Sequence, residues 1–324
     1  MKDLKKKYGP INLAGIKNIS IKKRRNLVKL KQFASAVELG EFAAFMESLP
    51  KVLAGNHFRS VVDAMVKAIG KKHQVVVAIG AHVIKCGLSP IITDLVKRGI
   101  ITAVAMNSAA AIHDYEISLI GETSEDVSES LKDGSFGMAR ETVNAFQMAA
   151  AAGTTTEGDS EYKMGLGRAL GTKITKDKNK YNEFSILAAC AKLNIPVTVH
   201  TAIGTDTIHM HPNISPAHLG ESSHIDFRIL CSVVAGLEGG VWVNIGSAVI
   251  MPEVFLKALT VVRNLGHKVD DFTAVNMDMV QHYRPLTNII KRPGKHGYAI
   301  TGHHEIMLPL LRACILSKLQ EKHS

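Results

Sequence analysis

Cysteine is scarce in this chain of 324 residues, and the four that occur lie far apart: Cys86, Cys190, Cys231 and Cys314. No two of them form a Cys-x-x-Cys pair. Structural zinc sites and disulfide frameworks both need organised cysteine pairs, so we expect buried, reduced thiols in a cytoplasmic protein and no structural zinc.

Long apolar runs are also missing, although 46% of the residues are hydrophobic. No run reaches the roughly 18 residues that a membrane-spanning helix needs. The Lys-rich N-terminus is not followed by the apolar stretch of a secretory signal. We therefore expect a large buried core, with neither secretion nor a membrane anchor.

Acidic residues are nearly absent from residues 1–31, which hold eleven lysines and arginines against Asp3 alone. The rest of the chain has equal numbers of basic and acidic residues, so the net charge of +10 belongs to this segment. Such a basic arm could bind RNA or an acidic partner, or it could be a solvated or oligomer-packing extension. Tyr8 is its one aromatic residue, which argues against base stacking.

Two apolar, β-branched runs end in small residues without forming a Gly-x-Gly-x-x-Gly fingerprint. The run at 75–79 is followed by Gly80 and Ala81, and the run at 101–106 leads into residues 108–111. Runs of this kind are typical of buried parallel strands, whose carboxyl edge binds ligands in open α/β sheets. Small residues there allow backbone N–H groups to approach a phosphate, but they also serve tight strand-to-helix packing. Spacing alone leaves both interpretations open.

The pattern of strands and helices predicts a doubly wound, mostly parallel, Rossmann-like α/β sheet with a basic helical extension at its N-terminus. We place the arm and N-terminal helices in residues 1–55, with a helix over 36–49, and one α/β domain in residues 56–324. The Gly/Thr-rich segment 153–171 is predicted to be a long loop that could cover a site. Strands are expected near 75–79, 101–106, 196–201, 241–246, 272–275 and 298–301, joined by helices of right-handed crossover length.

Several further segments occur in a recognisable order. They are IPVTVHTAIGTDTIHMHP at 195–212, WVNIGSAVIMPE at 242–253, FTAVNMD at 272–278, YRP at 283–285 and MLPLLRA at 307–313. Together with the two strand ends they resemble the deoxyhypusine synthase family in the same order over residues 75–313. The resemblance implies that family's fold, NAD as cofactor, and a homo-oligomer, a tetramer in the family, with sites between paired subunits.

The resemblance also implies which residues contact the cofactor. Asp114 stands where the family has Glu, and Gly302 and His303 stand where it has Ala-Asp. Asp206 has a second interpretation as a helix N-cap. The implied cofactor-binding set is Ala81, His82, Ser108, Ala109, Ala110, Ala111, Asp114, Asp206, Thr273, Ala274, Gly302 and His303.

In the family, NAD-dependent oxidation of spermidine gives an imine that an active-site lysine attacks before the aminobutyl group passes to a protein lysine. The position of that lysine falls on Pro293 here, so Lys291 is the nearest candidate nucleophile and Lys295 the next, with an ordinary loop lysine as the alternative. Asp278 and His304 complete the predicted catalytic set. The acids that follow Arg-Pro in the family are missing, which should weaken recognition of a polycation.

We therefore predict an NAD-dependent transferase of deoxyhypusine synthase type that acts on a small amine or polyamine, by dehydrogenation to an imine with alkylamine transfer left open. One alternative is a metal-dependent hydrolase, because His209 and His211 would share one side of an extended segment near His200 and Asp206. His-x-His pairs also arise by chance among 15 histidines, and one histidine could instead be a general acid or base beside NAD. A second alternative is a non-catalytic protein that binds NAD, or RNA through residues 1–31.

Overall fold

The computed structural model describes residues 13–32, 42, 49–158 and 160–321. Four short 3-10 helices lie at Ile21–Lys23, Leu30–Gln32, Asn182–Phe184 and Thr207–Met210, and a π-helix at Leu286–Lys291. The other elements, in chain order, are β1 (Asn26–Lys29), α1 (Leu53–Gly70), β2 (Val75–Ile79), α2 (Ala81–Lys85), α3 (Ser89–Lys97), β3 (Ala103–Asn107), α4 (Ser108–Ile120), β4 (Glu122–Glu125), α5 (Val127–Ser130), α6 (Arg140–Gly153), α7 (Gly165–Lys176), α8 (Ile186–Lys192), β5 (Val197–His200), α9 (Pro216–Ala235), β6 (Val241–Ile245), α10 (Ile250–Asn264), β7 (Thr273–Asp278), α11 (Tyr283–Pro285), β8 (His296–Thr301) and α12 (His304–Glu321).

Six strands form one parallel sheet in the order β5-β3-β2-β6-β7-β8. All six predicted strands are present, with ends within about three residues of those expected. β2 and β6 are buried along their whole length, because helices cover both faces of the sheet. This confirms the doubly wound α/β fold.

The sheet divides the core into two layers. On β2, Val75, Val77 and Ile79 face a layer that includes α1 and α12, whereas Val76 and Ala78 face α9 and α10. The alternation follows from the period of two along a strand. In the second layer the single tryptophan, Trp242, stacks on Phe255 with ring centroids 4.1 Å apart.

The order of the strands determines where a ligand can enter. The chain moves outward from β2 to β3 and β5, then returns to start again beside β2 with β6, β7 and β8. Counted in chain order, the six strands have the order 3-2-1-4-5-6 that is typical of dinucleotide-binding sheets. The topological switch point therefore lies between the carboxyl ends of β2 and β6.

Part of the basic segment packs onto the domain through a strand pair that the sequence pattern did not predict. β1 pairs with β4 in antiparallel fashion, so that Asn26 opposes Glu125. The side chain of Arg24, just before β1, is buried, and its guanidinium contacts Glu116 at 2.8 Å. Residues 1–12 and most of the helix predicted over 36–49 lie outside the described residues.

The segment 153–171 is only partly a loop, since α7 already begins at Gly165. Gly167 packs against the backbone of β5, where an added Cβ would lie 2.3 Å from the carbonyl oxygen of Val197. Glycine at this position permits a close approach between helix and strand. The loop was predicted because glycine is also typical of loops, and the sequence does not separate the two uses. No helix in the described part of the chain is long and apolar enough to cross a membrane.

Candidate functional site

The turns after β2 and β6 touch each other at the switch point. A Cβ added to Gly80 would lie 2.0 Å from the carbonyl oxygen of Gly246, which itself has a φ of 63°. A side chain at residue 80 would thus collide with backbone that has no room to move. The tight-packing interpretation of Gly80 is therefore correct, whether or not a ligand also lies above the turns.

Two of the predicted catalytic residues meet beside these turns. The His304 Nε2 atom lies 3.7 Å from Asp278 Oδ1, at the carboxyl end of β7. The same nitrogen would be 2.9 Å from a Cβ on Gly246. We call the surface formed by residues 80–82, Gly246, Asp278 and His304 the switch-point crevice.

Burial sets the protonation of the histidines in this crevice. His304 is 1% exposed, and this burial lowers its pKa even though Asp278 acts in the opposite direction. Partial burial and the charge of Lys85 lower the pKa of His82. Both imidazoles are therefore neutral near pH 7, which is the form that can accept a proton. The Nδ1 atom of His304 has no hydrogen-bond partner.

The turn between β3 and α4 brings a further polar group to the same edge. The Asn107 side-chain oxygen accepts a 2.9 Å hydrogen bond from the Ala110 backbone and so caps α4. The Ser108 hydroxyl is buried and has no hydrogen-bond partner. Ala110 and Ala111, which follow it in α4, are fully buried as well. Asn107 ends the second strand of the dinucleotide order, where such folds place the residue that contacts the ribose. It was not among the residues predicted from the sequence, although the strand order would have indicated it.

Asp114 does not reach this edge. Its side chain is fully buried and accepts hydrogen bonds from Ser185 Oγ at 2.5 Å and from the backbone of Ile186 and Leu187 at 2.8 and 3.2 Å. Burial raises its pKa to about 6 although these bonds act against the shift. The carboxyl group caps α8, which satisfies it without a ligand.

Three more predicted residues lie at the opposite, amino edge of the sheet. Thr273 and Ala274 begin β7, where they pair with the first two residues of β8. Lys291 ends the π-helix that returns the chain to the start of β8. A parallel connection must cross from one edge to the other, so Lys291 cannot approach Asp278. Gly302 and His303, in contrast, follow β8 at the carboxyl edge.

The histidines proposed as metal ligands have separate hydrogen-bond partners. His200 Nε2 lies 2.9 Å from Thr198 Oγ1, and His211 Nε2 lies 3.0 Å from the Gly137 carbonyl oxygen. His209 belongs to a 3-10 helix and not to an extended segment. Among the described residues, no group of three or more potential ligands could hold a metal ion. The structure thus gives no support to a metal-dependent hydrolase.

Asp206 precedes that 3-10 helix but makes no side-chain cap on it. Its Oδ2 atom instead accepts a 3.1 Å hydrogen bond from the Ala202 backbone. The residue lines a cavity next to the crevice, so it is one predicted ligand contact that does face open space.

That cavity has a volume of about 240 Å³ and lies between α4, β4 and residues 205–207. We call it the α4 cavity. Arg24 crosses its wall, bonded to Glu116 at 2.8 Å and to Glu125 at 3.4 Å. Burial alone would raise the pKa of Glu116, but the hydrogen bonds and charges of His113 and Arg24 outweigh it and lower this pKa to about 2. The cavity was not predicted from the sequence because its walls come from segments about a hundred residues apart.

No protein-family model and no curated protein matches the chain. Solved structures match it in fold: a conserved protein of the LOR/SDH type from Methanococcus maripaludis S2 has a TM-score of 0.52 at 18% identity, over 84% of this chain and 71% of that one. AgrE, in a ternary complex with ornithine and NAD+, has a TM-score of 0.52 at 15% identity, over 82% of this chain but 33% of its own. A deoxyhypusine synthase candidate from Entamoeba histolytica has a TM-score of 0.49 at 10% identity, over 86% of this chain and 94% of that one.

At identities of 18% and 15%, the first two matches show a shared α/β fold and no more. The chain spans 33% of the length of AgrE. The TM-score of the deoxyhypusine synthase candidate is too low to support membership of that family. The resemblance to deoxyhypusine synthase therefore stays a prediction.

Proposed function

We propose that the protein is an NAD-dependent enzyme that oxidises a small amine to an imine. The observation that carries this proposal is the dinucleotide strand order, with the Asp278–His304 pair beside its switch point. The match to AgrE supports it, because AgrE forms a ternary complex with ornithine and NAD+ and 33% of its length shares this fold. Residues 56–324 form the proposed NAD-binding domain, and a homo-oligomer is proposed from the family resemblance.

The residues at the carboxyl edge fit a dinucleotide. The Ser108 hydroxyl, the Asn244 side-chain oxygen and His304 Nδ1 are buried polar atoms without hydrogen-bond partners. They stand at or next to the ends of β3, β6 and β8, where a ligand rich in hydroxyl and phosphate groups would satisfy them. The turn over residues 80–82 and the start of α4 would hold its phosphates. NAD held there would supply an acceptor for the hydride that leaves the carbon bearing the amine.

Proton transfer falls to the buried histidine. His304 is neutral, so it can take the proton that the amine nitrogen loses as the C–N bond becomes C=N. Asp278 orients the ring and stabilises the imidazolium that forms. The alkyl-transfer step is not included in this proposal, because Lys291 lies at the opposite edge of the sheet.

Calorimetry with NAD tests the proposal directly, followed by NAD reduction with a panel of amines. We expect His304→Gln, whose amide can still hydrogen-bond the dinucleotide, to lose about a hundredfold or more in turnover, the usual contribution of a general base. The control is His296→Gln, since His296 begins β8 at the opposite edge of the sheet and is 56% exposed. Failure of the wild-type protein to bind NAD would overturn the proposal.

A further inference from the structure

We propose that the α4 cavity binds an amine that also carries a carboxylate, that is, an amino acid, and that Lys85 is the residue that selects against polyamines. As an assignment of substrate class this rests on the proposed function. The binding step itself can be measured without any turnover.

The α4 cavity adjoins the switch-point crevice through two helices. α2 begins beside the β2 turn, and its last residue, Lys85, lines the cavity. α4 begins with Ser108 at the sheet edge and presents Ala109, Ile112 and His113 to the cavity. Besides burial and Lys85, the charges of Asp278 in the crevice and of His113 in the cavity wall act on the pKa of His82, the first raising it and the second lowering it. A ligand in the cavity would therefore be next to a nucleotide in the crevice.

Some charges in the cavity wall already satisfy one another. Glu116 Oε2 accepts from Arg24 at 2.8 Å and from Thr123 Oγ1 at 2.5 Å, and its Oε1 accepts from Thr142 Oγ1 at 3.3 Å. Arg24 also donates to Asn26 at 2.9 Å. Glu116 and Arg24 therefore have few hydrogen-bonding positions left for a ligand.

Three other charged groups in the wall can still form a hydrogen bond or an ion pair with a ligand. Lys85 is half-buried and makes no ion pair within the described part of the chain. The Glu125 side chain is 7% exposed; its Oε1 atom accepts from the Gly137 backbone at 2.8 Å and from Arg24 at 3.4 Å, whereas its Oε2 atom has no hydrogen-bond partner. Asp206 uses one carboxylate oxygen on the Ala202 backbone. The wall thus offers one cation and two carboxyl groups.

A ligand that complements this set must carry both signs of charge. An ammonium group would satisfy Glu125 or Asp206, and a carboxylate would satisfy Lys85 through a charge-assisted hydrogen bond. A polyamine offers only cations, so it would leave Lys85 unpaired and repel it. The volume of about 240 Å³ admits a small amino acid but not a large ligand.

The test uses three probes of similar length on the full chain saturated with NADH, which cannot accept a hydride, so that no probe is oxidised during the measurement. Ornithine carries an α-ammonium, a carboxylate and a terminal ammonium; putrescine lacks the carboxylate, and 5-aminopentanoate lacks the α-ammonium. We expect ornithine to bind at least about tenfold more tightly than either, because each partial ligand loses one charged contact. Equal affinity for ornithine and putrescine would overturn the inference.

Lys85→Met isolates the selecting charge, with Lys97→Met as the matched control on the exposed end of α3. Lys85→Met should weaken ornithine about tenfold and strengthen putrescine, so that the preference disappears or reverses. Lys97→Met should change neither. If Lys85→Met leaves the preference for ornithine intact, Lys85 is not the selecting residue.

Glu125→Gln keeps an oxygen for the Gly137 backbone but removes the charge, and should weaken ornithine and putrescine alike. Asp206→Asn serves the same purpose if the Glu125 variant melts abnormally. NAD binding without ornithine binding would overturn this inference and leave the proposed function standing. Absence of NAD binding would overturn the proposed function itself.

Discussion

Arg24 and Arg25 are neighbours in the basic segment, yet their side chains are 5% and 76% exposed. Arg24 bridges two buried carboxylates, whereas Arg25 lies 3.8 Å from the partly exposed Asp126. Identical residue types thus have different roles, and only tertiary contacts distinguish them. A count of charges could not reveal which arginine is structural.

We expect Arg24→Met to destabilise the protein by about 3–5 kcal/mol, because it leaves Glu116 buried without its partner. The control, Arg25→Met, removes an exposed pair and should cost less than about 1 kcal/mol. Denaturant unfolding of both variants measures the difference. Similar losses in the two would contradict a structural role for the buried Arg24–Glu116 pair.

His200 should make stability depend on pH. Burial lowers its pKa from 6.5 to about 3, so the folded protein resists a proton that the unfolded chain accepts. The free energy of unfolding is therefore unaffected by His200 above about pH 6.5. It decreases as the pH falls from there toward 3, by up to about 1.4 kcal/mol per pH unit. In His200→Gln only this part of the pH dependence should be lost between pH 6.5 and 5, because His211 and His304, whose pKa values are also lowered by burial, remain. Asp114 titrates near this range in both proteins, so a difference between their unfolding curves isolates His200.

At the level of elements, the strands that could be predicted from the sequence are those buried on both faces, since an unbroken β-branched run such as Val75–Ile79 is typical of a buried parallel strand. β1 and β4 were missed because they are short, polar and about a hundred residues apart. For Asp114 the sequence could not distinguish a carboxylate that caps a buried helix, as it does in the structure, from one that binds a ribose. Asp278 and His304 were both predicted to be catalytic, but their contact was not predicted. It follows from the order of the strands in the sheet, which the sequence alone does not reveal.

Gly167 and Gly220 both lie in helices but have opposite surroundings. A Cβ on Gly167 would meet β5 backbone at 2.3 Å, whereas nothing lies within 4 Å of one on Gly220. Gly167→Ala should therefore destabilise the protein by more than about 1 kcal/mol, while Gly220→Ala should stabilise it by about 0.5–1 kcal/mol. Thermal or denaturant melting compares them. A stabilising Gly167→Ala would show that α7 is not held against β5.

Asn107 ends β3 where dinucleotide folds often place an acid. Asn107→Asp keeps the cap on α4 and adds a carboxylate that can bind the ribose hydroxyls but repels a 2′-phosphate. We expect the ratio of NAD to NADP affinity to rise about tenfold in this variant. An unchanged ratio in calorimetry would place the ribose elsewhere.

At the scale of the whole molecule, the positive charge of the N-terminal segment extends over residues 1–31, and part of that segment packs onto the domain. Residues 1–31 carry the net charge of +10, but β1, the buried Arg24 and Ile21 also lie within them. A deletion of residues 1–31 should therefore lower the melting temperature by roughly 10 °C, since it removes a buried ion-pair partner worth several kcal/mol as well as a strand. A deletion of residues 1–12 keeps every one of these contacts and should melt like the full chain, although it removes four lysines. Calorimetric scans of the three proteins at one salt concentration make the comparison. Equal melting temperatures would mean that β1 adds nothing to the domain; a drop already present in the shorter deletion would assign the effect to the first twelve residues instead.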